Sequence, residues 1–112
     1  NMEERQKEAE NAMDIIKHEV TKFNNWFSTL DAVPTIVEMR NRAEGMRKIE
    51  VEKNLKNMDH LSTDDKESIH LLTQSIVNKI LHKPTINLKK KTQSQDGHIY
   101  LKAIRHLFHL DD

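Results

Sequence analysis

The sequence predicts an all-α, elongated protein, and three observations carry that prediction. Residues 1–30 hold one unbroken helical pattern. Only two Gly and two Pro punctuate all 112 residues, and no segment stands out as a strand. The apolar fraction is 36% against 32% charged, which makes a lean core beneath a large solvated surface.

In the first element, apolar side chains recur at Ala9, Met13, Ile16, Val20, Phe23, Phe27 and Leu30, at intervals alternating between four and three. That alternation keeps one stripe on one side of a helix and makes a coiled-coil-like seam. Thirty residues at about 1.5 Å each reach ~45 Å, more than the roughly 35 Å diameter of a compact globule of this length. Part of the stripe is therefore expected to lie against something other than its own chain. The helical pattern is already running at Asn1, which reads as a fragment cut inside a helix.

Four further elements follow, for a total of about four to five helices. Asp31 is a cap candidate and Pro34 suits the first turn of a second helix, so a break is expected near residue 31. The second helix carries Ile36, Met39, Ala43 and Met46, then shifts phase to Val51, Leu55 and Met58. Glu38 with Arg42, Glu44 with Lys48, and Glu52 with Lys56 have the spacing of exposed helical ion pairs. Gly45 either permits a close helix approach or is simply tolerated. After Asp59-His60-Leu61, Ser62 reads as an N-cap with Asp65 three residues on. The third helix is expected to bury Ile69, Leu72, Ile76, Val77, Ile80 and Leu81 and to stop before Pro84, which opens a short fourth through Ile86 and Leu88 to Lys89-Lys90-Lys91. Thr92 to Gly97 is a loop by composition. A last helix places Tyr100, Leu101, Ile104, Leu107 and Phe108 on one face.

Several functional classes find no support. No cysteine is present, so disulfides, thiolate metal sites and cysteine nucleophiles are excluded within this stretch. No apolar run reaches the ~20 residues of a membrane span. Asp64, Asp65 and Glu67 resemble a carboxylate cluster but fall in a first helical turn, where capping explains them. His106 and His109 stand at i and i+3, yet no third ligand is evident, so no metal is expected. No Gly-rich loop exists to cradle phosphates or an oxyanion. Phe23, Trp26 and Phe27 lack the interleaved basic residues of a base-stacking platform and read as core or interface. Net charge is zero, but residues 79–105 carry seven basic groups against Asp96 alone. That excess either balances acidic helices nearby or faces phosphate.

The most specific text in the chain is Ile76-Val77-Asn78-Lys79-Ile80-Leu81-His82-Lys83-Pro84-Thr85, followed by Leu88-Lys89. It resembles the "NK-L-H-P" signature in the C-terminal domain of the glutamyl-tRNA reductase family. Other matches fall in the same order. Met2-Glu3-Glu4-Arg5 is similar to the start of that family's long spinal helix, and Phe23 and Trp26 to its aromatic end. Pro34, Ile36, Arg40 and Ala43-Glu44 resemble a "P-I-LR-AE" segment. Tyr100-Leu101 and Leu107-Phe108 resemble the closing helix, with His109 where "LFGL" has Gly.

The resemblance implies an NADPH-dependent enzyme that converts glutamyl-tRNA to glutamate-1-semialdehyde in tetrapyrrole synthesis. It implies a cytoplasmic, V-shaped homodimer of three parts, of which this chain would be the helical dimerisation domain. Residues 1–30 would end the spinal helix, and 31–112 would form the dimerisation domain as one unit with them. No catalytic, cofactor or metal residue is carried over, and NADPH would bind elsewhere in the full-length enzyme. The expected dimer interface comprises Met13, Ile16, Val20, Phe23, Phe27, Leu30, Ile69, Leu72, Ile76 and Ile80. Lys89, Lys90, Lys91 and Arg105 are expected to touch tRNA. Two other readings are a coiled-coil-like interaction module of an unrelated protein and a helical nucleic-acid-binding domain. Zero net charge and the lack of a recognition-helix pattern count against the latter.

Overall fold

One helix sets the shape of the molecule. In a computed structural model that describes residues 1–111, α1 (Met2–Leu55) runs 54 residues without a break. At about 1.5 Å per residue its ~81 Å spans nearly all of the 86 Å long axis. The radius of gyration is 23.0 Å, against ~13 Å for a compact chain of this length. α2 (Thr63–Lys91) and α3 (Gly97–Leu107) complete the fold. Three helices replace the expected four to five, because neither proline ends one.

Pro34 lies inside α1 and Pro84 inside α2. A proline within a helix gives no N–H to the carbonyl four residues back and crowds it, at about 3 kcal/mol. Packing on both sides offsets that cost. Ala32, Thr35 and Ile36 flank Pro34 and are buried. Ala32 and Ile36 cluster with Leu88, and Leu101 and Ile104 pack against them. Around Pro84, Leu81 and Leu88 are buried. Arg40 ties α2 to α1 there, donating to Asn78 Oδ1 (3.0 Å) and Thr85 Oγ1 (3.3 Å).

The two long helices form an antiparallel hairpin. Thr29 meets Gln93, Arg40 meets Asn78 and Thr85, and Arg47 meets His70 and Thr73, so one number rises as the other falls. The α2 start follows its sequence signal at Ser62, whereas Asn1, read as lying inside a helix, caps α1 here. Asn1 and Ser62 each close a capping box, with Glu4 and Asp65.

The row of α1 facing α2 differs from expectation. Met39, Ala43, Arg47, Val51 and Leu55 follow one another at i+4, with Met39, Arg47 and Val51 buried and Ala43 and Leu55 half-buried. Met46, grouped by sequence with Ile36, Met39 and Ala43, is 58% exposed. The apparent phase shift is an unbroken i+4 row whose middle member is charged. Leu72, Ile76 and Ile80 are likewise exposed rather than buried within the chain. Two of the expected i+4 ion pairs have other partners, Glu38 bonding Arg105 and Glu44 bonding Arg47.

α3 folds back across the hairpin. A Cβ on Gly97 would lie 2.6 Å from Thr92 Cα and 2.9 Å from the Lys91 and Thr92 carbonyl oxygens, so only glycine lets α3 start this close to α2. Its C-terminus closes as a Schellman motif: Leu110 N–H donates to Arg105 O (2.9 Å) and His109 N–H to His106 O (3.2 Å). His109 takes φ 54° there.

Candidate association surface

A lean core leaves a large apolar exterior. Among the described residues, the buried apolar core is Ala32, Ile36, Met39, Val51, Leu81 and Leu88. Two surfaces gather the apolar side chains of the expected interface. The first is the arm of α1: every residue from Asn1 to Asn24 is exposed. Met13, Ile16, Val20, Phe23, Phe27 and Leu30 of the expected interface all lie on this arm or at its root, each about half exposed. Phe23 stacks on Phe27 at 6.1 Å between ring centroids and tilts against Trp26 at 5.8 Å. No ring in this trio is covered by the rest of the chain.

The second surface is one face of the hairpin. There α1 and α2 leave an apolar groove floored by Val51 and Thr73, walled on one side by Met46 and on the other by Ile69 and Ile76, and continuing to Leu55 and Met58. Ile69 is half-buried, while Leu72, Ile76 and Ile80 are exposed. The structure thus brings these four together on α2, away from the six residues of the arm.

The polar groups beneath the hairpin face satisfy one another. Arg47, 9% exposed, bonds both Glu44 carboxylate oxygens, Nε at 2.8 Å. Its Nη1 donates to Thr73 Oγ1 (3.1 Å) and the His70 carbonyl (3.4 Å). The Arg47 hydrogen bonds hold the Glu44 carboxyl below the ordinary glutamate range, and the same bonds raise the Arg47 guanidinium. Sequence reasoning passed over Arg47. The signal was its place midway between Ala43 and Val51 at i+4 spacing.

Of the basic residues, Arg105 is occupied. It bonds Asp111 (2.6 Å), Glu38 (2.6 Å) and Thr35 Oγ1 (3.2 Å), linking α3 to α1. The Asp111 bond first, then that to Glu38, raises its guanidinium further. Lys89, Lys90 and Lys91 are exposed at the end of α2, with Lys91 Nζ 5.4 Å from the Tyr100 ring centroid.

Among the described residues, no group of three His, Cys, Asp or Glu side chains is placed to hold a metal ion, and no helix is long and apolar enough to cross a membrane. The two glycines differ in setting: Gly45 sits mid-helix, and Gly97 is pressed against Thr92. A projecting helix and a grooved hairpin, both with apolar side chains exposed, define a helical association module. The chain belongs to the glutamyl-tRNA reductase dimerisation-domain family, whose model matches residues 11–110. A glutamyl-tRNA reductase from Syntrophotalea carbinolica is 42% identical over 111 residues, covering 99% of this chain and 25% of that protein. One from Natranaerobius thermophilus is 43% identical over 112 residues, covering 100% of this chain and 24% of its own. The chain thus spans about a quarter of the length of these relatives. No solved structure matches it.

Proposed function

We propose that this chain is the homodimerisation module of a glutamyl-tRNA reductase, a cytoplasmic enzyme that uses NADPH to reduce glutamyl-tRNA to glutamate-1-semialdehyde for tetrapyrrole synthesis. Catalysis and NADPH binding are assigned to other parts of the full-length protein. The observation that carries this reading is the exposure of nine of ten apolar interface candidates in one chain of a dimerisation family: the six on α1, and Leu72, Ile76 and Ile80 on α2, with Ile69 half-buried beside them. A two-fold axis can pair such a patch with its own copy. Light scattering across roughly hundredfold dilution tests it, since dimerisation follows mass action. A mass of two chains persisting on dilution is the expected result. One chain at every concentration would remove the proposal.

A tRNA contact is the second part of the reading. It rests on Lys89, Lys90 and Lys91, which are exposed and form no ion pair among the described residues. Arg105, bonded to Glu38 and Asp111, contributes less to it. Replacing the three lysines with Gln should weaken tRNA binding by the full-length enzyme and flatten its salt dependence. An unchanged salt slope would sink the idea.

A further inference from the structure

α3 carries no member of the expected interface, and its links to α1 sit astride a weak point in that helix. We infer that α3 is a splint across a proline joint: it fixes the direction in which the arm leaves the hairpin, and opening its charged clamp frees the arm to swing. The inference is independent of how many copies associate.

The joint is the first argument. Pro34 has no N–H to give the Leu30 carbonyl, so the hydrogen-bond ladder of α1 is open there. Sharp bends in helices fall at such positions. The neighbouring helix is a poor brace at this level, because α2 has a proline of its own close by. Pro84 adjoins Thr85, which Arg40 meets. Leu88, one turn beyond Pro84, clusters with Ala32 and Ile36 on either side of Pro34. Both long helices are thus weakened within about a turn of each other.

The splint is the second. α3 and the turn before it grip α1 on both sides of Pro34. On the arm side, Gln93 Nε2 donates to Thr29 Oγ1 (3.4 Å), and Ser28 and Asp31 share a cleft with Gly97, His98 and Leu101. On the hairpin side, Arg105 donates to Thr35 Oγ1 (3.2 Å) and pairs with Glu38 (2.6 Å). Between the two, Leu101 and Ile104 pack against the cluster of Ala32, Ile36 and Leu88.

Exposure is the third. The Arg105 side chain is 26% exposed, and its partners Glu38 and Asp111 are 47% and 63% exposed. Ion pairs this open to water are screened by salt. Every residue from Asn1 to Asn24 is exposed, so once the clamp opens no other packing holds the arm in line.

Distances between spin labels test the splint. The chain has no cysteine, so Lys17→Cys on the arm and Lys90→Cys at the end of α2, both exposed positions, can be labelled together. Double electron–electron resonance then reads their separation, with excess unlabelled chain to suppress distances between copies. Lys17 lies ~25 Å along the helix from Pro34, so a bend of about 20° carries it roughly 9 Å sideways. The wild type should give one narrow distribution. Arg105→Ala should broaden it by roughly that 9 Å. So should Glu38→Ala, which leaves the Arg105–Asp111 pair in place and keeps the test valid if Arg105→Ala loses α3 by circular dichroism. Wild type in ~1 M salt, where the Debye length is ~3 Å, should broaden in the same direction. Adding Pro34→Ala restores the missing hydrogen bond and should return each distribution to wild-type width. Clamp variants as narrow as wild type would overturn the inference, since α3 would then not hold the arm. Broadening that persists with Pro34→Ala would also overturn it, by placing the joint elsewhere, as would a wild-type distribution that is already as broad.

Discussion

Residues 2–24 and residues 36–51 belong to one helix and both carry apolar stripes, yet their circumstances are opposite. The later stretch has Met39 fully buried, Arg47 bonded across to α2 and Ile36 clustered with Leu88. The earlier one has every side chain exposed and is held by local means: the Asn1 capping box with Glu3 and Glu4 in the first turn, and a Glu19–Lys22 pair at 3.8 Å. These local terms are small, because most helical stability in proteins comes from packing an apolar face. The contrast teaches that continuity of a helix is not continuity of stability. The arm lies at the low end of the gradient and the hairpin at the high end.

The largest test of that contrast is a pair of methionines. Met39→Ala should destabilise the fold by about 2–5 kcal/mol, the cost of an apolar cavity that its neighbours cannot fill. Met13→Ala, at an exposed position, should change stability by less than about 0.5 kcal/mol. Urea unfolding followed by circular dichroism reads both. Comparable losses would mean that the arm is packed as firmly as the hairpin.

The glycines make a second pair, of opposite sign. Gly97→Ala forces a Cβ into the Thr92 backbone and should cost about 1–3 kcal/mol, as overpacking does. Gly45 has nothing within 4 Å of a built Cβ. Gly45→Ala should stabilise the helix by about 1 kcal/mol. Weaker dimerisation in this variant, with the monomer stabilised, would show that a partner helix approaches Gly45.

How much of this was legible in the sequence follows from which forces are local. The all-α class, the Ser62 cap and the exposed seam on α1 depend on neighbours within a turn or two, and the residues carry them. Pro34 and Pro84 misled because a proline's local cost is visible in sequence, whereas the offset from Leu88, Leu101 and Ile104 comes from across the fold. Arg47 misled for the same reason. A buried guanidinium is tolerable only where Glu44 and Thr73 meet it, and Thr73 belongs to another helix. On the association surface, the apolar residues could be picked out by spacing. That they divide between an arm and a grooved face could not, since the groove exists only once α1 and α2 are paired.

A smaller effect separates the hairpin electrostatically. Glu44 is held below the ordinary glutamate range by its bonds from Arg47. Its contribution is therefore complete above the pKa of an unfolded glutamate, about 4.3, and fades as pH falls through the lower folded value. Glu44→Gln should make stability less sensitive to pH below about 4.3, as read by thermal melts across that range. An unchanged acid limb would mean that Glu44 and Arg47, three residues apart on α1, do not pair in solution.

The smallest effect is at the far end of the packed region, where α3 closes. His109 sits at φ 54°, in the left-handed region that a Cβ disfavours by roughly 1–2 kcal/mol and that glycine enters freely. The hydrogen bonds from Leu110 and His109 back to Arg105 and His106 are main-chain bonds, so they survive a change of side chain. His109→Gly should therefore keep the motif and relieve its strain, offset in part by the added freedom of the unfolded chain, for a net gain of at most about 1 kcal/mol. His109→Val makes the opposite change, since a branched Cβ fits that backbone least. It should loosen the turn that carries Asp111 to Arg105, and with it the link from α3 to α1. Thermal unfolding that ranks Gly above His above Val would place the stability of this end in the backbone turn. A histidine more stable than glycine would place it in the imidazole's own contacts.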